Sequence, residues 1–116
     1  GGKLQSGIEM VCQVLDFDGH LEGADLVFTG EGRADKSTVF DKAPVGVARH
    51  AMAYGVPSIL LAGSLGDGHE ELYKHGVASI LCISDGAMSF QHALGRTGLM
   101  LQGTAERAMR IFLLKP

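Results

Sequence analysis

Leu26-Val27-Phe28-Thr29, closed by Gly30, is the first of three short apolar runs on which the reading of the fold turns. The others are Ser58-Ile59-Leu60-Leu61-Ala62 and Ala78-Ser79-Ile80-Leu81-Cys82-Ile83-Ser84, again closed by Gly or Asp. All three are largely apolar instead of alternating, the pattern of parallel strands covered on both faces. Between the first two runs, 43–54 has helical character, with Pro44 near its first turn, Gly55 just past its end and Pro57 opening the next strand. Between the second and third, 69–75 reads as a short helix ended by Gly76.

Ahead of the first run, Ser6 caps an expected helix over 7–17, with Ile8, Val11, Cys12 and Leu15 on one face, broken at Asp18-Gly19. After the third, Ser89 caps a segment over 90–114 that Gly95, Gly98 and Gly103 weaken, so a break is expected near them. The order α-β-α-β-α-β-α with right-handed crossovers predicts an α/β fold. It is a three-layer, Rossmann-like parallel sheet of about three strands with helices on both faces. So small a sheet has edges that need further strands, and the chain is expected to be only part of such a domain. It does not begin with Met, and the expectation is that it starts inside a longer product; left alone it should self-associate.

Composition narrows the function. The chain of 116 residues is 46% hydrophobic and 20% charged, ordinary for a folded globular protein. Seventeen glycines without a fixed period suit sharp strand ends and backbone brought close to a ligand. Net charge is −3, the Lys and Arg residues form no stripe, and aromatics are 6%, which argues against a nucleic-acid groove. The apolar runs are far shorter than a membrane span, and the start carries no apolar signal segment. Cys12 and Cys82 lie in apolar segments and read as small core residues, consistent with a reducing, cytoplasmic setting.

In an open parallel sheet ligands bind beyond the carboxyl ends of the strands, which points to the loops 30–42, 63–68 and 84–89. The first packs Glu31, Arg33, Asp35, Lys36, Ser37, Thr38, Asp41 and Lys42 directly after a strand. Gly30 and Gly32 permit a tight path around Glu31. Arg33 offers a planar fork for a carboxylate or phosphate, and Lys42 stands at a helix start, where free N–H groups also favour anions. Asp35 and Glu31 suit Mg²⁺ binding or acceptance of a hydroxyl proton; a solvated loop whose charges pair with one another is the plainer alternative. Gly63-Ser64-Leu65-Gly66-Asp67-Gly68 is either a phosphate-wrapping loop or a simple glycine-rich turn. Asp35 stands where the third Gly of a dinucleotide fingerprint belongs, and no Walker A string occurs. The histidines lack zinc-like spacing and read mostly as surface groups, and Ser64 has no nucleophile-elbow frame.

From Gly23 to Asp35, then Thr38, then Lys42-Ala43-Pro44-Val45-Gly46-Val47-Ala48, the sequence resembles the signature of the bacterial glycerate kinase family. The likeness continues through Tyr54-Gly55-Val56-Pro57, Leu61-Ala62-Gly63-Ser64-Leu65-Gly66 and Ser89-Phe90-Gln91-His92-Ala93-Leu94, and it covers roughly the last third of the family's length. The resemblance implies that residues 1–116 are the carboxyl-terminal part of a glycerate kinase-like α/β domain, the remaining domains lying outside this chain. It further implies ATP-dependent, Mg²⁺-assisted phosphorylation of glycerate in a cleft between two domains.

On that resemblance Glu31, Arg33, Asp35 and Lys42 are the expected catalytic set, with Asp35 also the expected metal ligand. Gly30, Gly32, Thr38, Gly63, Ser64 and Gly66 are expected to bind substrate or phosphate. Arg33 would clamp the glycerate carboxylate or the transferring phosphoryl group, and Lys42 would neutralise phosphate charge. Ser37 stands where the family usually has Gln, Asp41 where it has Gly, and Ala34 where it has a larger aliphatic residue. Two other classes compete: a non-catalytic anion-binding or regulatory module on the same fold, and a different sugar-phosphate or hydroxy-acid enzyme.

Overall fold

The computed structural model describes residues 12–13, 15–40, 42–84 and 95–114. Its elements are helix α1 (Phe17–Leu21), strand β1 (Val27–Ala34), a 3-10 helix (Lys36–Phe40), helix α2 (Lys42–Ala53), strand β2 (Ser58–Leu65), a second 3-10 helix (His69–His75), strand β3 (Ser79–Cys82) and helix α3 (Thr97–Phe112). The strands form one parallel sheet in the order β1-β2-β3.

β2 lies at the centre, and its residues are divided between the two faces. Leu60 and Ala62 join Val45 and Ala48 of α2 in one core, together with Ala34, Leu72, Val77 and Ile80. Leu61 faces the other way, into a cluster with Ile83 and Met100 of α3. Helices therefore cover both faces, as the unbroken apolar runs require.

α2 forms because Val45, Ala48 and Ala51 recur at helical spacing and are all buried. Pro44 is buried in its first turn, where its missing N–H costs nothing, and Gly55, at φ +70°, follows the end. α3 buries Met100, Thr104 and Ala108, one turn apart. The Thr104 hydroxyl lies 2.8 Å from Met100 O and 3.4 Å from Ile83 O, which ties the helix to the chain leaving β3. Gly98 and Gly103 are accommodated within α3 without ending it, because packing of this buried stripe outweighs their weak helix propensity.

Two expectations need correction. The break expected at Asp18-Gly19 falls earlier, at Asp16, which takes a left-handed conformation (φ 52°), and Asp18-Gly19 lie within α1. Burial of Leu21 and the 2.6 Å contact between Asp18 Oδ1 and His50 Nδ1 of α2 hold that turn helical. His50 is correspondingly a half-buried partner, not a surface group. The segment 69–75 is the expected short helix ended by Gly76, 3-10 in type. The expected helix over 7–17 falls mostly outside the described residues, as do the Ser89 cap and most of the loop 84–89.

The largest correction concerns the two glycine-containing loops. Gly30 to Ala34 and Gly63 to Leu65 are strand, not loop. Each keeps the other extended: Glu31 pairs with Ala62, Arg33 with Ser64 and Ala34 with Leu65. A lone segment this rich in Gly and charge has weak strand preference, but two of them side by side satisfy each other's backbone groups.

Candidate functional site

The lengthened strands deliver Arg33 and Asp35 to the end of the sheet where the chain turns. Ala34, at the last position of β1, is fully buried, and it anchors the residues on either side of it. Arg33 remains largely in solvent, its side chain 64% exposed, while that of Asp35 is mostly covered. Arg33 Nε donates to Asp35 Oδ2 at 3.3 Å. An exposed pair of this length adds little to the stability of the fold.

Asp35 is held more firmly by Ser37. The Ser37 backbone N–H and hydroxyl both donate to Asp35 Oδ1, at 2.9 and 2.5 Å. The Ser37 hydroxyl first and then its N–H hold the Asp35 carboxyl below the ordinary carboxylate range; burial opposes them, and Arg33 contributes less than either. Asp35 is thereby a settled anion and a poor proton acceptor.

Thr38 sits beneath this arrangement and is only 3% exposed. Its Oγ1 accepts from the Asp35 N–H at 3.0 Å and lies 3.5 Å from Arg33 O. The structure therefore places Thr38 under the backbone that carries the charged pair, instead of at the surface a substrate would meet.

β2 supplies the floor. The Gly66 N–H donates to Ala34 O at 2.7 Å. A Cβ at Gly66 would come within 2.7 Å of Arg33 Nη2 and 2.9 Å of Asp35 Cβ. At Gly63 a Cβ would lie 2.7 Å from Gly32 O. These glycines are needed for close approach of the two strand ends: Gly63 admits the neighbouring backbone, and Gly66 admits the Arg33–Asp35 pair. Lys36 N donates to Asp67 O at 3.0 Å, and the His69 ring lies 2.9 Å from Gly66 O, which bind the two turns together.

Of the expected site residues, Arg33, Asp35, Thr38, Ser64 and Gly66 are thus brought together at one end of β1 and β2. Glu31 lies two residues earlier on β1, its Oε1 accepting from the Gly32 N–H at 3.0 Å. Gly30 and Gly32 lie within the strand, and Gly63 spaces it from its neighbour. Lys42 is the first residue of α2, and its side chain falls outside the described part. Sequence reading passed over Ser37 as a functional residue, although a Ser two positions after an Asp is a recognisable side-chain-to-backbone turn. Among the described residues no group of three or more His, Cys, Asp or Glu could hold a metal ion.

The sequence matches the profile of the glycerate kinase family over residues 1–113. It is 42% identical over 103 residues to the glycerate kinase of Halalkalibacterium halodurans, covering 89% of this chain and 27% of that protein. To the Bacillus subtilis glycerate kinase it is 38% identical over 118 residues, covering 96% of this chain and 31% of the relative. A crystal structure of a Salmonella typhimurium LT2 protein assigned as glycerate kinase 2 superimposes with a TM-score of 0.57 at 31% identity, covering 91% of this chain and 29% of the other. The chain thus spans less than a third of the length of these relatives, and it belongs to the glycerate kinase family.

Proposed function

We propose that this chain, as a glycerate kinase family segment, carries the anion-holding part of an active site that phosphorylates glycerate from ATP. The observation that carries this reading is the Arg33–Asp35 pair seated over Gly66 where β1 and β2 end, the position at which parallel sheets bind ligands. Glycerate presents a carboxylate and hydroxyls, and ATP presents phosphates; a planar guanidinium suits either anion.

In the reaction a glycerate hydroxyl oxygen bonds to the terminal phosphorus of ATP as the bridging bond to ADP breaks. Catalysis of such a step is mainly positioning and charge stabilisation. Arg33 clamps the substrate carboxylate or the moving phosphoryl group. Asp35 anchors Arg33, and its lowered proton affinity argues for that role over general base. Glu31, two residues ahead of Arg33 on β1, takes the hydroxyl proton. Lys42 and the first-turn N–H groups of α2 neutralise phosphate charge.

Magnesium fits the described residues poorly, since Asp35 is engaged by Ser37 and Arg33 and no cluster of metal-binding side chains surrounds it.

The rest of a family-length protein supplies the remaining nucleotide contacts and covers the open edge of β1. In its absence copies of the chain associate. No described helix is long and apolar enough to cross a membrane, and neither Cys12 nor Cys82 forms a disulfide, which supports a reducing, cytoplasmic setting.

The test is a chimera in which this chain replaces the matching stretch of the Bacillus subtilis glycerate kinase. ADP release from ATP and Mg²⁺ should depend on D-glycerate. Arg33→Ala should lower kcat/KM by about a hundredfold or more, in the range found for loss of a charge-stabilising contact. A folded chimera that releases no ADP with glycerate would favour the non-catalytic anion-binding module; turnover untouched by Arg33→Ala would defeat the assignment of the clamp.

A further inference from the structure

Ser37 is exposed, so core packing does not demand it, and it stands where the family resemblance expects Gln. Yet it makes two bonds to one atom: its N–H and its hydroxyl both reach Asp35 Oδ1, at 2.9 and 2.5 Å. That leaves Oδ2 for Arg33 Nε at 3.3 Å. A carboxylate gripped through one oxygen by donors from a single nearby residue has lost most of its freedom about the Cβ–Cγ bond. The oxygen that faces Arg33 is then determined. An exposed ion pair of this kind is too weak by itself to keep an arginine in one direction. A pre-oriented acceptor, with Gly66 leaving room beneath the guanidinium, supplies the missing constraint.

We propose that Ser37 is a positioning residue: by holding Oδ1 of Asp35 it presents Oδ2 to Arg33, and so aims the guanidinium over Gly66 toward an anionic substrate. The part concerning substrate rests on the kinase reading above; the part concerning side-chain geometry does not.

The experiment follows the Asp35 carboxyl carbon and the Arg33 Nε–H by NMR across an acid titration of the 116-residue chain. Wild type is compared with Ser37→Ala, Ser37→Gln and Ser37→Thr. Loss of the hydroxyl in the Ala and Gln variants should move the Asp35 titration to higher pH and shift the Arg33 signal, whereas Thr, which keeps the hydroxyl, should behave as wild type. In the chimera, Ser37→Ala should raise KM for glycerate about fivefold, the worth of one ordinary hydrogen bond, with a smaller change in kcat and recovery by Ser37→Thr.

An Asp35 titration and an Arg33 signal both unchanged by Ser37→Ala would overturn the proposal, whatever the kinase assay gives. Altered spectra together with an inactive wild-type chimera would sustain the positioning role and remove the kinase reading. Altered spectra with an unaltered KM in an active chimera would overturn the substrate-directed half.

Discussion

At the carboxyl ends of β1 and β2 the space between strands is filled to the point that Gly63 and Gly66 cannot accept a methyl group without displacing a neighbour. Along the outer face of α3 the opposite holds: Leu99 and Ile111 are 68% and 69% exposed, and Leu101 and Phe112 also stand in solvent. Beside that helix an apolar hollow of about 320 Å³ opens between Phe28, Thr29, Gly30, Leu61, Leu101 and Ala105. One region satisfies itself with its own residues: Ser37 bonds Asp35, Gly63 gives way to the neighbouring backbone, and Gly66 to the Arg33–Asp35 pair. The other presents apolar surface that the described residues do not cover, a composition typical of surfaces that meet another protein element. The lesson is that the polar end can be read within this chain, while the apolar face points to a partner surface.

The comparison breaks first, if it breaks, at Gly63. Gly63→Val should destabilise the chain by about 1–3 kcal/mol, the usual range for overpacking, because its Cβ meets the Gly32 carbonyl oxygen. Gly32→Ala is the matched control: nothing lies within 4 Å of a Cβ there, and its unfolding midpoint in urea should stay close to wild type. Equal effects at the two positions would mean that the strand ends are not interlocked.

A smaller loss is expected at Thr38. Thr38→Val keeps the shape but leaves the Asp35 N–H without its 3.0 Å acceptor, a change worth about 1–3 kcal/mol for a buried group and less where water reaches it. Thermal unfolding measures the loss, and an unchanged midpoint would show that Thr38 does not brace the turn.

The smallest change in stability is expected on α3, where Leu101→Ser with Phe112→Ser should stay within about 0.5 kcal/mol per site of wild type, as at other exposed positions. The same pair should reduce self-association in sedimentation velocity. A wild-type chain that stays monomeric at high concentration would remove the reason for calling this face unpartnered.

Much of this was legible in the residues. The runs 26–29, 58–62 and 78–84 marked the three strands, and Pro44 and Gly55 bracketed α2, because burial and backbone chemistry act locally there. Arg33 and Asp35 stood out by charge density after a buried run. The lengths of β1 and β2 were not legible, since Gly30–Ala34 and Gly63–Leu65 have loop composition and become strand only through each other. Thr38 is an expected binding residue through the family resemblance alone; its burial depends on how the 3-10 turn folds back under Asp35.

The sequence by itself determined the layered α/β plan and the family, through periodicity and a long specific string that need no distant contact to be read, and it pointed to the strand end at which chemistry is proposed. Only the tertiary structure decided that two glycine-rich stretches form a single paired platform and that Gly66 lies under Arg33. Those facts depend on atoms from different strands meeting within 3 Å, and the order of residues along one strand carries no record of what stands opposite.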